Sequence, residues 1–158
     1  MNNFYIMEDQ FKIIKTTSEN KDFIALVAKL DQGLWESYPE LKVDYWGNNI
    51  MELNPNVLLI YLDDAAVACA CFKKYNENAI EIKRMFVLDE FRGKGLAKKT
   101  LRELESWAKE LGFSFAVLET LYKQKAAIAI YQKAGYIITD NYAPYIGLQN
   151  SICMKKYI

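Results

Sequence analysis

The chain has 158 residues, 52% apolar and 25% charged, a length and mix suited to burying one globular core. Its 20 basic and 20 acidic side chains cancel, which argues against a nucleic-acid backbone or an anionic membrane as main partner, and no apolar run approaches the roughly 20 residues of a membrane span. Histidine is absent, which removes the commonest general base, the commonest zinc ligand and the usual triads and leaves proton transfer to carboxylates, Tyr, Lys, Cys or water.

Phe11 to Thr17 is rich in β-formers and predicts a first strand. Thr17, Ser18 and Asn20 offer N-caps for a helix to about Leu30; Phe23, Leu26, Val27, Leu30 and Leu34 form its apolar stripe, and Gly33 interrupts or ends it. Residues 34–56 are irregular and aromatic, with Trp35, Tyr38, Tyr45 and Trp46, and predict one or two short helices. Val57 to Leu62 is an apolar strand. Asp63-Asp64 turns it into Ala65 to Phe72, and Asn76-Glu77-Asn78 turns that into Ile80 to Leu88, so three antiparallel strands follow one another. In the last of them Glu81 and Lys83 alternate with Ile80 and Ile82, whereas Met85 to Val87 are apolar on both faces. The strand is therefore expected to pass from half-buried to fully buried near Arg84.

Leu96, Ala97, Thr100, Leu101, Leu104, Trp107, Ala108 and Leu111 fit a helical stripe, with Gly112 as its C′ cap. Phe113 to Thr120 follows through this crossover and should lie parallel to Ile80–Leu88. A helix from about Lys123 to Ala134 ends at Gly135, and Tyr136 to Thr139 and about Ile152 to Tyr157 complete the sheet. The pattern predicts a single domain over residues 1–158. It is a mixed, mostly antiparallel α/β sheet of about six or seven strands with about four helices on its faces. Cys69 and Cys71, two apart in a strand, share a face and are poorly placed to bond each other. With Cys153 they read as reduced thiols. Met1 to Phe4 lacks the basic-then-apolar pattern of a secretory leader, so a cytoplasmic protein without a membrane anchor is expected.

The stretch Glu90-Phe91-Arg92-Gly93-Lys94-Gly95-Leu96-Ala97 joins a strand to a helix. Two glycines at such a turn can lay backbone N–H groups against a phosphate, and the positive end of the helix adds to the attraction. A P-loop would need wider glycine spacing followed by Lys and Ser or Thr, and a dinucleotide fingerprint would need Gly or Ala where Lys98 stands. Arg-x-x-Gly-x-Ala remains, from Arg92 through Gly95 to Ala97, and it resembles the pyrophosphate motif of the GCN5-related N-acetyltransferases (GNAT). Glu81 to Val87 is similar to the fourth strand of that superfamily, and Phe115 to Thr120 to its fifth. Gln124 to Tyr136 is similar to its closing helix, with Tyr131 followed by Gly135 and Tyr136. The resemblance covers residues 57–158 well and residues 1–56 loosely. Gln124 stands where the family often has Asn.

The resemblance implies two central strands splayed for acetyl-CoA. Backbone of Met85, Phe86 and Val87 would hold the pantetheine arm as a pseudo-strand, and Arg92, Gly93, Lys94, Gly95, Leu96 and Ala97 would cradle the pyrophosphate, with Gln124 and Tyr131 also at the cofactor. It implies acetyl transfer to a primary amine of a small molecule by direct attack in a ternary complex, with Tyr131 as acid toward the leaving thiolate, Glu81 as candidate general base and Glu119 as a second one. No metal and no nucleic acid is called for. A non-catalytic CoA-binding module, or an acetyltransferase acting on a protein or peptide amine, are the alternatives. Asp31, Glu36, Glu40, Asp44 and Glu52 against a single Lys42 suggest an acidic wall for a cationic amine, with Tyr142 and Tyr145 opposite. Many small members of the superfamily pair as dimers. The sequence carries no interface signature, so monomer and homodimer both stay open.

Overall fold

A computed structural model describes residues 10–45, 53–54 and 56–158, with backbone only for residues 44 and 45. Seven strands form one sheet in the order β1-β2-β3-β4-β5-β7-β6. They are β1 (Phe11–Thr16), β2 (Val57–Leu62), β3 (Ala65–Lys74), β4 (Ala79–Val87), β5 (Phe115–Leu121), β6 (Ile137–Thr139) and β7 (Ser151–Tyr157). Neighbours run antiparallel except β4 and β5, which are parallel because α3 (Leu96–Glu110) crosses between them. The expected mixed sheet is therefore present. Three helices of some length pack on it, α1 (Lys21–Ser37), α3 and α4 (Lys125–Lys133), with α2 (Lys42–Tyr45) only a single turn.

Asn20 caps α1 by accepting from the amides of Asp22 and Phe23. Phe23, Leu26 and Val27 are buried against Val57, Leu59, Cys69 and Cys71 on one sheet face. The helix runs on through Gly33 to Ser37, beyond the expected end. A helical glycine costs about 1 kcal/mol relative to alanine. Leu34 and Trp35, packed with Leu41, Leu121 and Tyr145, offset that cost and carry the helix to the turn at Pro39. The expectations for Trp46, Gly47, Glu52 and Pro55, and for the first nine residues, lie outside the described residues.

The other face carries α3 and α4. Leu96, Leu101, Leu104 and Ala108 of α3 pack on Leu58, Ile60, Ile80 and Leu118. Leu111, expected in this stripe, is 54% exposed, because α3 ends at Glu110 and Gly112 (φ +94) turns the chain away. Tyr136, expected to open a strand, is instead buried beneath α4. Its hydroxyl donates to Glu105 at 2.9 Å, and Lys156 reaches the other oxygen of Glu105 at 2.7 Å. Among the described residues no helix is long and apolar enough to cross a membrane.

Candidate active site

The parallel ladder between β4 and β5 stops at Ile82 and Leu118. Beyond it β4 follows β3 to Val87, while β5 follows β7 to Leu121. The strands part, and a cleft of about 1310 Å³ opens between them, bounded by the start of α3, by α4 and by the C-terminal half of α1. A site for one small ligand measures roughly 300–1,000 Å³, so there is room for a long ligand and a second one beside it.

A bulge in β4 accompanies the parting. Cys71 pairs with Lys83 and Cys69 with Phe86, so Arg84 and Met85 together oppose Ala70. Arg84 takes φ +57, a left-handed conformation that costs a non-glycine residue roughly 1–2 kcal/mol. Asp31 of α1 holds its guanidinium at 2.6 Å. Bulges bend a strand and end its pairing on one side. The expected burial of β4 is thereby reversed: Ala79 to Ile82 are buried, and Lys83 to Phe86 are half-buried because their neighbouring strand has left.

After β4 a 3-10 turn (Asp89–Phe91) leads to Gly93 and Gly95, at φ +75 and +79. A Cβ on either would meet nothing within 4 Å, so it is the left-handed backbone and not space that calls for glycine. Gly95 caps α3 without a side-chain hydrogen bond, which leaves the first amides of the helix and the positive end of its dipole turned to the cleft. Arg92 is employed differently from a phosphate ligand. Its Nε donates to the Val87 carbonyl at 3.1 Å, its Nη2 lies 2.9 Å from Asp89, and its guanidinium sits 5.8 Å from the Phe86 ring centre. The side chain braces the end of β4 against the loop.

Every expected cofactor residue except Lys94 lines this cleft, and so does Tyr131; Glu81 does not. Lys94 instead stands 5.3 Å from the Phe91 ring centre. Gln124, just before α4, accepts a 2.8 Å hydrogen bond from the Thr120 hydroxyl, which holds its amide at the cleft. Tyr131 is buried on α4, edge-on to Tyr136 at 6.1 Å. Burial, and then the Glu119 charge, push its phenol above the usual range.

The two carboxylates expected as bases have different surroundings. Glu81 is 3% exposed, and its Oε2 accepts from Tyr142 at 2.8 Å. Lys73 and Lys83 lie 3.8 and 3.9 Å from its Oε1. Glu119 is half-buried at the cleft, accepts from the Ser151 hydroxyl at 2.8 Å, and is pushed up to about 7, first by burial. The Ser151 hydrogen bond and then Lys83 oppose this rise, and the Glu81 charge adds to it. Proton exchange near neutrality is thus available to Glu119.

Of the acidic wall expected for a cationic amine, the three described side chains are taken up, while those of Asp44 and Glu52 lie outside the described residues. Asp31 is held by Arg84 and Glu40 by Lys123, while Glu36 accepts from Gln32. Tyr145 lines the cleft, and Tyr142 turns to Glu81. Sequence reasoning missed Lys83 as a cleft residue, having read it only as one of the polar positions that alternate with Ile80 and Ile82. Among the described residues no group of three or more His, Cys, Asp or Glu could hold a metal, and all three cysteines are buried free thiols.

Residues 19–136 match the family model described as "Acetyltransferase (GNAT) family". An IAA acetyltransferase of Azospirillum brasilense is 29% identical over 140 residues, which is 84% of this chain and 88% of that protein. The solved structure of a Klebsiella pneumoniae protein inferred to be an acyl-CoA N-acyltransferase superposes with a TM-score of 0.77 at 29% identity, covering 93% of this chain and 97% of the other. A Bacillus anthracis protein inferred to be a streptothricin acetyltransferase, solved in complex with acetyl coenzyme A, superposes with a TM-score of 0.59 at 25% identity. That match covers 69% of this chain and 65% of the other.

Proposed function

The chain belongs to the GNAT family of acetyltransferases, and from that premise we propose that it moves an acetyl group from acetyl-CoA to a primary amine by direct attack in a ternary complex. One observation carries the proposal: the gap between β4 and β5 opens onto an α3 N-terminus approached through two left-handed glycines. The solved relative holding acetyl-CoA supports the choice of cofactor.

The residues fit the cofactor. Main chain of Met85, Phe86 and Val87 runs beside the gap as a strand edge for the amides of a pantetheine arm. The turn from Gly93 to Ala97 and the start of α3 receive the pyrophosphate through backbone N–H groups, with Arg92 bracing that turn. Gln124 would border the arm from just before α4. When bound, acetyl-CoA supplies the acetyl thioester and departs as the free thiol.

Glu119 accepts the proton that the amine sheds as its nitrogen forms the new amide bond. Tyr131 keeps its proton at every working pH, because its phenol is raised, and donates toward the sulfur as the carbon–sulfur bond breaks. Glu81 supports Glu119 electrostatically from behind. A carboxylate near neutrality and a phenol in one cleft support an enzyme over a binding module. The test is thiol release from acetyl-CoA with polyamines, amino acids, aminoglycosides and short peptides, beside calorimetric titration of acetyl-CoA. Release that requires both protein and amine is expected. Absence of acetyl-CoA binding overturns the cofactor assignment, and binding without release on any amine overturns the enzymatic one.

A further inference from the structure

We propose that the acceptor is a free α-amino acid with an apolar side chain, its amine received by Glu119 and its carboxylate by Lys83. This rests on the transfer reaction proposed above and narrows its acceptor. In the ladder Glu81 pairs with Val117 and Ile82 with Leu118. Side chains alternate along strands, so Lys83 and Glu119, one position beyond the last pair, leave the same face of the sheet at the mouth of the gap. Both line the cleft. One ammonium and one carboxylate at adjacent positions on parting strands complement a ligand that carries the opposite pair on a single carbon.

Lys83 is placed as an anion receptor. Its side chain is 22% exposed and comes within 3.9 Å of Glu81. Burial lowers its pKa, an effect that an incoming carboxylate would relieve. Along the whole cleft, among the described residues, basic side chains outnumber acidic ones eight to four, although the whole chain is neutral; next to Lys83 itself stand Glu81, Lys73 and Arg84, the last held by Asp31. Asp31 and Glu40, which a polycation would need, are held by Arg84 and Lys123. Trp35 of α1, Tyr38 just after it and the buried Tyr145 complete the acceptor end with aromatic surface, suited to an apolar side chain.

Thiol release is measured for each free amino acid, its amide and the corresponding amine lacking the carboxylate. A free amino acid is expected to exceed both counterparts in kcat/KM by roughly 10- to 100-fold, the contribution of a charge-assisted pair. The amide is the stringent control, since its less basic amine would otherwise react more readily. In Lys83→Gln the ratio is expected to collapse toward one, and Lys83→Arg is expected to restore much of it; acetyl-CoA titration reports that each variant is folded. Equal or better turnover of carboxylate-free amines by the unaltered protein overturns the proposal, as does an unchanged ratio in Lys83→Gln. If acetyl-CoA binds and no amine is acetylated, the transferase reading fails. The acceptor assignment is then decided by melting the CoA complex with amino acids at ten times Kd, where a rise of roughly 3 °C is expected and no rise for any of them overturns it.

Discussion

The α3 end and the α1 end of the cleft present different chemistry to a ligand. At the α3 end the groups facing the gap are main chain: the edge of β4, two left-handed glycines and the first turn of a helix, all within residues 85–97. At the α1 end they are side chains, Trp35, Lys83, Glu119 and Tyr145, brought together from four separate elements and loops. The first end can hold a phosphate through backbone geometry that many sequences would produce. The second depends on burial, since it is enclosure that brings Glu119 to about 7 while a charged network fixes Glu81. A ligand common to many enzymes suits the first kind of construction, and a ligand particular to one enzyme suits the second.

Substitutions at the two ends should therefore fail differently. The largest effect is expected from Arg92→Glu with Gly95→Asp, which places negative charge and a left-handed side chain where the pyrophosphate is proposed to sit. Calorimetry should detect no acetyl-CoA binding, while circular dichroism shows a folded protein weakened by roughly 1–2 kcal/mol of backbone strain. Unchanged binding would break the assignment of this end.

Next comes Glu119→Gln, expected to lower kcat/KM by about 10²- to 10⁴-fold with acetyl-CoA affinity retained. The unaltered protein should gain activity as pH rises through about 7, and the variant should lose that limb. The sign for stability is opposite. A carboxyl raised from 4.5 to about 7 binds its proton more tightly when folded, so its contribution to stability is full below pH 4.5 and is lost as pH climbs toward 7. Melting temperatures should accordingly favour Glu119→Gln more at pH 8 than at pH 5.

Tyr131→Phe should reduce kcat by about 100-fold, the low end for a positioned acid. Its raised phenol is a reluctant donor toward a thiolate whose reference is near ~8.5. An equal loss in KM terms alone would assign Tyr131 to binding. The smallest effect is expected from Glu81→Gln. Less than about tenfold should be lost at the pH optimum, and the activity limb should move to lower pH, because the Glu81 charge helps hold Glu119 up. A loss as large as that of Glu119→Gln would exchange the roles of the two carboxylates.

How far the site could be read in advance follows the same division. The turn at Gly93 and Gly95, the parallel return to β5 through α3 and the position of Tyr131 on α4 were all legible, because helical stripes, turn residues and connection lengths act over a few residues. Gly33 misled, since its local helix-breaking tendency was outweighed by the packing of Leu34 and Trp35 on Leu121 and Tyr145. Met85 to Val87 misled as well. An apolar run reads as buried strand, yet here β4 loses its neighbour at Ile82 and the run borders a cleft. The sequence put Glu81 ahead of Glu119 as a candidate base, yet of the two only Glu119 lines the cleft.

By itself the sequence determined the order of strands and helices and the glycine turn that leads into α3, since hydrophobic period, connection length and turn chemistry are local properties. Only the tertiary structure decided which carboxylate meets the cleft, where β4 bulges at Arg84 and what charge surrounds Lys83. Burial and electrostatic coupling depend on neighbours far away in the chain: Asp31 beside Arg84, Tyr142 on Glu81 and Ser151 on Glu119.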